Sequence, residues 1–166
     1  MATFKKELKA AYRQTALIGA AMVGALVLYV VIVEMLKRAP IRPTGLEGLK
    51  EYLYVIRYAV FGLAVGSIFG IRFYRKMFLV ARITLRLNFL PYKSFSPVPQ
   101  RLQFVSITTL AFCEAVAIYG IALFFVGRSS QDFYILLTFS VVLFAIYFPR
   151  FSEWEDLAKK LAQEKR

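Results

Sequence analysis

Between Leu102 and Gly127 the chain carries one charged residue, Glu114, in a stretch otherwise made of apolar side chains and a few uncharged polar ones. About 20 predominantly apolar residues in a helix are enough to cross the hydrocarbon core of a bilayer. In hydrocarbon every backbone polar group must be satisfied within the protein, which a helix does by itself. This run is therefore predicted to be a membrane-spanning helix over 102–126. A carboxylate within it costs roughly 2.5–3.5 kcal/mol on insertion scales. A chain keeps such a residue where it faces a partner, a cavity or an ion path.

Three further apolar runs follow the same logic and predict spans over 15–36, 52–71 and 133–148, the last near the lower length limit. The 166 residues are 59% hydrophobic and 19% charged. A soluble domain is nearer half apolar and a quarter charged. The expected fold is an all-α membrane protein of four transmembrane helices in two hairpins, forming one membrane domain over 1–166. The first run has a basic start but is too long for a signal-peptide core, and no small-residue cleavage site follows it.

The connections carry their own signals. Residues 37–51 contain Pro40, Pro43, Gly45 and Gly48 and read as a loop. Glu34, at the outer end of the first span, is placed to reach water or to pair with Arg38 one turn on. Arg57 interrupts the second span close enough to its end to snorkel outward, with pairing to Glu114 or Glu34 as the alternative. Gly62, Gly66 and Gly70 recur at every fourth position and line one helix face, the small-residue pattern through which membrane helices approach closely. Over 72–101, Arg72, Arg75, Lys76, Arg82 and Arg86 alternate with apolar residues. This predicts a basic interfacial helix continuing from the second span, docked on anionic lipid or a partner. Pro91, Pro97 and Pro99 then break the helix before the chain re-enters the membrane. The tail over 149–166 has acidic residues early and basic ones late, which suits the helix dipole. It is expected to be a short amphipathic surface helix anchored by Trp154 and Tyr147.

The net charge of +12 is explained by topology rather than by nucleic acid. With four spans, sixteen Lys and Arg fall on one side and five on the other, leaving out Arg57. The positive-inside rule then puts both termini in the cytoplasm, with a bacterial-type inner or plasma membrane as the expected location. A single cysteine, Cys113, leaves no intrachain disulfide, and the chain has no histidine. That removes imidazole metal sites, bis-histidine haem and any His-based acid–base relay. No cofactor, metal site or small-molecule substrate is expected, and no enzymatic activity, because Glu114 stands without a second deep acid–base group. The expected partners are membrane lipid and other membrane subunits, or further copies of the chain.

Two roles stay open for Glu114. It can take up and release a proton, as intramembrane relay carboxylates do, or it can hold helices together through an interhelical hydrogen bond. Leu110 and Ile118, one turn away on its face, are apolar, so its partner must come from another helix, from water or from an ion. Thr108, Thr109 and Tyr119 are nearby residues with hydroxyls, and Thr109 and Tyr119 are the expected supporters of an ion at Glu114.

The segment Leu110-Ala111-Phe112-Cys113-Glu114-Ala115-Val116-Ala117-Ile118-Tyr119-Gly120 resembles the ion-carrying helix of the c subunit (proteolipid) of rotary ATP synthases. That family commonly shows a carboxylate followed by Ala, two small or apolar residues and Ile-Tyr-Gly. The resemblance covers about 25 residues and implies that Glu114 binds a proton or sodium ion within a larger membrane complex. Departures are plain: the second span has glycines every fourth rather than every second position, the 72–101 connection is long, and there are four spans rather than two. A double-hairpin form with one carboxylate is similar to vacuolar-type proteolipids. A faint internal comparison agrees, since Gly24-Ala25-Leu26-Val27-Leu28-Tyr29 aligns with Glu114-Ala115-Val116-Ala117-Ile118-Tyr119. The alternative expectation is an accessory subunit without transport, which scaffolds a complex through its glycine face and basic segment.

Overall fold

A computed structural model describes residues 2–38, 52–80 and 97–163. The chain there is all-helical: α1 (Ala2–Arg38), α2 (Leu53–Val80), α3 (Pro97–Gly127), α4 (Ser130–Tyr147) and α5 (Phe151–Gln163). The first four are long and apolar enough to cross a membrane. Large apolar side chains stand exposed along α1 (Leu17, Val27, Leu28, Met35) and α2 (Val55, Tyr58, Phe69, Phe73). In water so much contiguous apolar surface would be an association site; in a bilayer it is the ordinary lipid-facing surface of an integral membrane protein.

The central helix is α3. Its most extensive contact is with α4, followed by α1 and α2, while α1 and α2 barely touch each other. The first two helices therefore do not form a packed hairpin of their own; α3 lies between them. Cross-helix contacts give the register. Gln103 of α3 donates to Gln14 of α1, and Arg128 donates to the Leu36 carbonyl. The two helices thus run parallel. On α2, Leu53 reaches Gly127 and the Phe78 carbonyl accepts from Arg101, so α2 runs antiparallel to α3. On α4, Ser140 donates to the Cys113 carbonyl and Leu136 lies over Gly120, again antiparallel. The polar contacts at Gln14–Gln103 and Leu36–Arg128 bracket 22 residues of α1, or about 33 Å of rise. That matches a hydrocarbon core about 30 Å thick.

Several elements differ in extent from the sequence expectation. Helix α1 runs 37 residues without a break and so projects well past the span predicted from Thr15. Pro97 and Pro99, expected to end a helix, instead occupy the first turn of α3. There a missing N–H costs nothing, because first-turn donors have no intrahelical acceptor. Helix α4 begins at Ser130, capped by Ser129, whose hydroxyl accepts from the Asp132 amide. Arg128 adopts φ 54° just after α3, the left-handed turn that commonly closes a helix. Helix α2 continues as helix to Val80. Arg82, Arg86 and the rest of the expected interfacial segment from 81 to 96 lie outside the described residues.

Tight packing is concentrated on α3. A side chain at Gly120 would meet Leu136 Cβ at 3.2 Å and the Phe133 carbonyl at 3.3 Å. One at Gly19 would meet Leu110 and Phe148, both at 3.0 Å. These are the glycines through which helices of this chain approach closely. A methyl group added at Gly62, Gly66 or Gly70 would meet nothing within 4 Å, and these three lie on the side of α2 away from α3.

The amphipathic tail helix is also not a free surface element. Trp154 and Ala158 of α5 are buried against Leu8 and Ala11 of α1 and Leu102 of α3. Tyr12 packs edge-on to Phe151 and Trp154 and donates to the Pro149 carbonyl, and Lys5 pairs with Glu155 at 3.1 Å. The projecting end of α1 and α5 together form a small helical cap.

A candidate intramembrane carboxylate site

Glu114 lies 11 residues beyond Gln103, about 16 Å of helix rise, and so close to the midplane of the bracketed core. Its partner is Tyr29 of α1, whose hydroxyl donates to Glu114 Oε1 at 2.8 Å. The parallel register places Gly24, rather than Tyr29, level with Glu114. The tyrosine reaches about one and a half turns back along α1, in the direction that helical side chains lean. The pairing offset of the internal comparison, Gly24 with Glu114, is thus the offset at which α1 and α3 lie side by side.

The surroundings of the pair are apolar. On the Arg128 side lies a cluster of Val33, Phe124 and Phe133, with Tyr29, Ile121 and Leu137 against it. Toward the other side Leu110 is buried over Gly19. Glu114 itself is half-buried, at the edge of an open strip of α3 that exposes Ala111, Ile118, Ala122 and Phe125. No cation pairs with it among the described residues. The expected supporters are engaged elsewhere or turned away. Thr109 is buried, and its hydroxyl donates back to the Val105 carbonyl at 2.7 Å. Tyr119 and Thr109 each lie five residues from Glu114, which puts them about 140° around the helix from it. Among the described residues no three His, Cys, Asp or Glu side chains come together. The site offers one carboxylate and one phenol.

A second charged site lies nearer the Arg128 end. Arg57 of α2 meets Asp132 of α4 at 2.6 Å, with Arg57 45% exposed and Asp132 4% exposed. Pairing of Arg57 with Glu114 or Glu34, the alternatives read from the sequence, is not what the structure has. Asp132 Oδ1 accepts no directed hydrogen bond among the described residues, so the contact is one of charge. The pair lines an open cleft of about 220 Å³ with Leu53, Tyr54, Leu123, Gly127 and Ser129. Glu34 pairs with Lys37 at 2.8 Å rather than with Arg38, and also accepts from Tyr134 of α4. Of the basic residues expected to dock lipid or a partner, Arg72 and Lys76 are exposed, while Arg75 stacks on Tyr147 at 5.4 Å.

Sequence reasoning missed Tyr29 and Asp132. Tyr29 is one aromatic among many in the sequence, although a phenol in mid-span needs a hydrogen-bond partner. Asp132 follows Ser129 by three residues, the spacing of a helix-capping sequence, which would have moved the start of α4 back to include it. No protein-family model, curated protein or solved structure matches the chain.

Proposed function

We propose that this chain is a membrane subunit in which Glu114 reversibly binds a proton, or Na⁺, at the interface of α1 and α3, within a larger membrane assembly. The observation that supports the reading is the Tyr29–Glu114 hydrogen bond at mid-span, with no cationic partner beside it among the described residues. A carboxylate neutralised by arginine or lysine would be held in one charge state. A carboxylate facing only a phenol is free to change state, since the hydroxyl can donate to its oxygen whether or not the other oxygen carries a proton. The arrangement suits the c-subunit-like role suggested by the local sequence, with both termini in the cytoplasm of a bacterial-type membrane. The outward glycine face of α2 would then be a contact for another subunit or a further copy.

A second reading is favoured by the same bond. Tyr29 and Glu114 also fasten α1 to α3, and a scaffolding subunit needs no more than that. A hydrophobic carbodiimide separates the two, because it modifies a protonated, lipid-accessible carboxyl. Ion binding predicts labelling at Glu114 that declines as pH rises, with protection by Na⁺ if sodium is the ion. Absence of labelling from acid to alkaline pH, with Glu114→Gln fully active in its host complex, would leave only the scaffold.

A further inference from the structure

The stripe formed by Lys6, Lys9 and Arg13 lies on the face of α1 opposite Leu8, Ala11 and Thr15, which are buried. All three basic residues are exposed, and none has an ion-pair partner among the described residues, whereas Lys5 beside them is paired with Glu155. Orientation of membrane helices requires only that positive charge lie near a span end. It does not require the basic segment to be helical, or to be held upright. Here it is both: Trp154 and Ala158 of α5 and Leu102 of α3 are buried against this segment of α1, with Tyr12 clamped between Phe151 and Trp154.

Height decides what the stripe can meet. Taking the Gln14–Gln103 contact as the edge of the hydrocarbon core, Arg13 stands at the edge and Lys9 about 7 Å above it. Lys6 stands about 12 Å above. The headgroup layer is about 5–8 Å deep on each side. Arg13 therefore sits among headgroups, Lys9 at their upper surface and Lys6 beyond them. By the same register, Arg72 and Lys76 of α2 lie at or below the core edge and reach only headgroups.

We propose that Lys6 and Lys9 of the braced stripe, standing above Arg13 among the headgroups, form a docking surface for an acidic polypeptide segment of a peripheral partner, laid along the projecting end of α1. Positive charges at positions i and i+3 face a partner about one helical turn apart. Carboxylates on such a segment gain attraction and orientation there, and exposed charges of this kind mainly set association rate and specificity. Because the helix that carries them is packed against α5 and α3, the partner does not have to order its backbone on binding.

The test uses the full chain in nanodiscs of phosphatidylcholine, with fluorescently labelled poly-L-glutamate as the probe. Binding to the wild type is expected, weakened about tenfold by K6E/K9E and changed less than about twofold by R72E/K76E, which alters net charge equally. Protease resistance of α5 in K6E/K9E would confirm that the cap is intact. Equal weakening by both double variants would reduce the effect to net charge and overturn the proposal. Failure of the wild type to bind, or loss of its binding when phosphatidylglycerol is included in the disc, would also overturn it; the latter would assign the stripe to anionic headgroups.

Discussion

Removing Arg57 is expected to be more damaging than removing Asp132, although each deletes the same ion pair. The antiparallel register of α2 and α3 puts Arg57 about five residues, or roughly 7 Å, inside the level of Arg128. Within that depth the two side chains differ in exposure, 45% for Arg57 and 4% for Asp132. In Arg57→Ala the carboxylate of Asp132, 4% exposed in the ion pair, is left in the cleft beside α2 and α3 without its counter-charge. Breaking a buried pair from one side costs about 3–5 kcal/mol, with the open cleft beside Asp132 holding the loss toward the lower figure. In Asp132→Ala the remaining guanidinium can extend along its alkyl stem to the interface. What is lost is a half-exposed ion pair and an acidic residue in the first turn of α4, on the order of 1–2 kcal/mol together. R57M/D132L should fall within about 1 kcal/mol of wild type, since well-packed apolar groups commonly replace a buried pair at little loss. Unfolding by sodium dodecyl sulfate in mixed micelles, followed by circular dichroism, gives the three values. Equal losses for the single variants, or a double variant as unstable as their sum, would refute the placement of this pair.

Further expectations follow from the same packing. Gly120→Ala should destabilise by about 1–3 kcal/mol, because the added methyl meets Leu136 Cβ and the Phe133 carbonyl, neither of which moves without α4. Gly66→Ala, with open space around it, should leave the isolated chain as stable as wild type or better by up to about 1 kcal/mol; the same unfolding titration compares them. Trp154→Ala should release α5 from the projecting end of α1, a local loss of about 3–5 kcal/mol of packing. Limited proteolysis is then expected to cut the tail rapidly while the four long helices stay protected.

The four long helices were legible because backbone hydrogen bonding in hydrocarbon admits few alternatives, and apolar runs of this length have no other ready use. Their partners were not. Arg57 reads as a residue able to snorkel outward or to pair with Glu114 or Glu34, and neither carboxylate is its partner. Only the start of α4 at Ser130 brings Asp132 into the helical bundle. Glycine spacing identifies a smooth face on α2, yet spacing does not say what a face packs on. The close approaches within the chain use Gly19 and Gly120, which show no repeat. The tail reads as amphipathic, which it is; that its apolar side is covered by α1 depends on α1 continuing as helix through its first 14 residues, where the basic residues suggest only a flank. Glu114 stands out from charge and depth alone. Tyr29 could be found only by folding α1 against α3.

If Glu114 changes protonation state in the membrane while in contact with Tyr29, pH-difference infrared spectroscopy of the chain in bilayers will register it. The expected result is a carboxyl carbonyl band that appears and disappears reversibly with pH and is missing in Glu114→Gln. In Tyr29→Phe that band should move to higher frequency as the carbonyl loses its hydrogen-bond donor. A Glu114 carboxyl that stays in one state at every pH, or a band indifferent to Tyr29→Phe, would contradict the proposal.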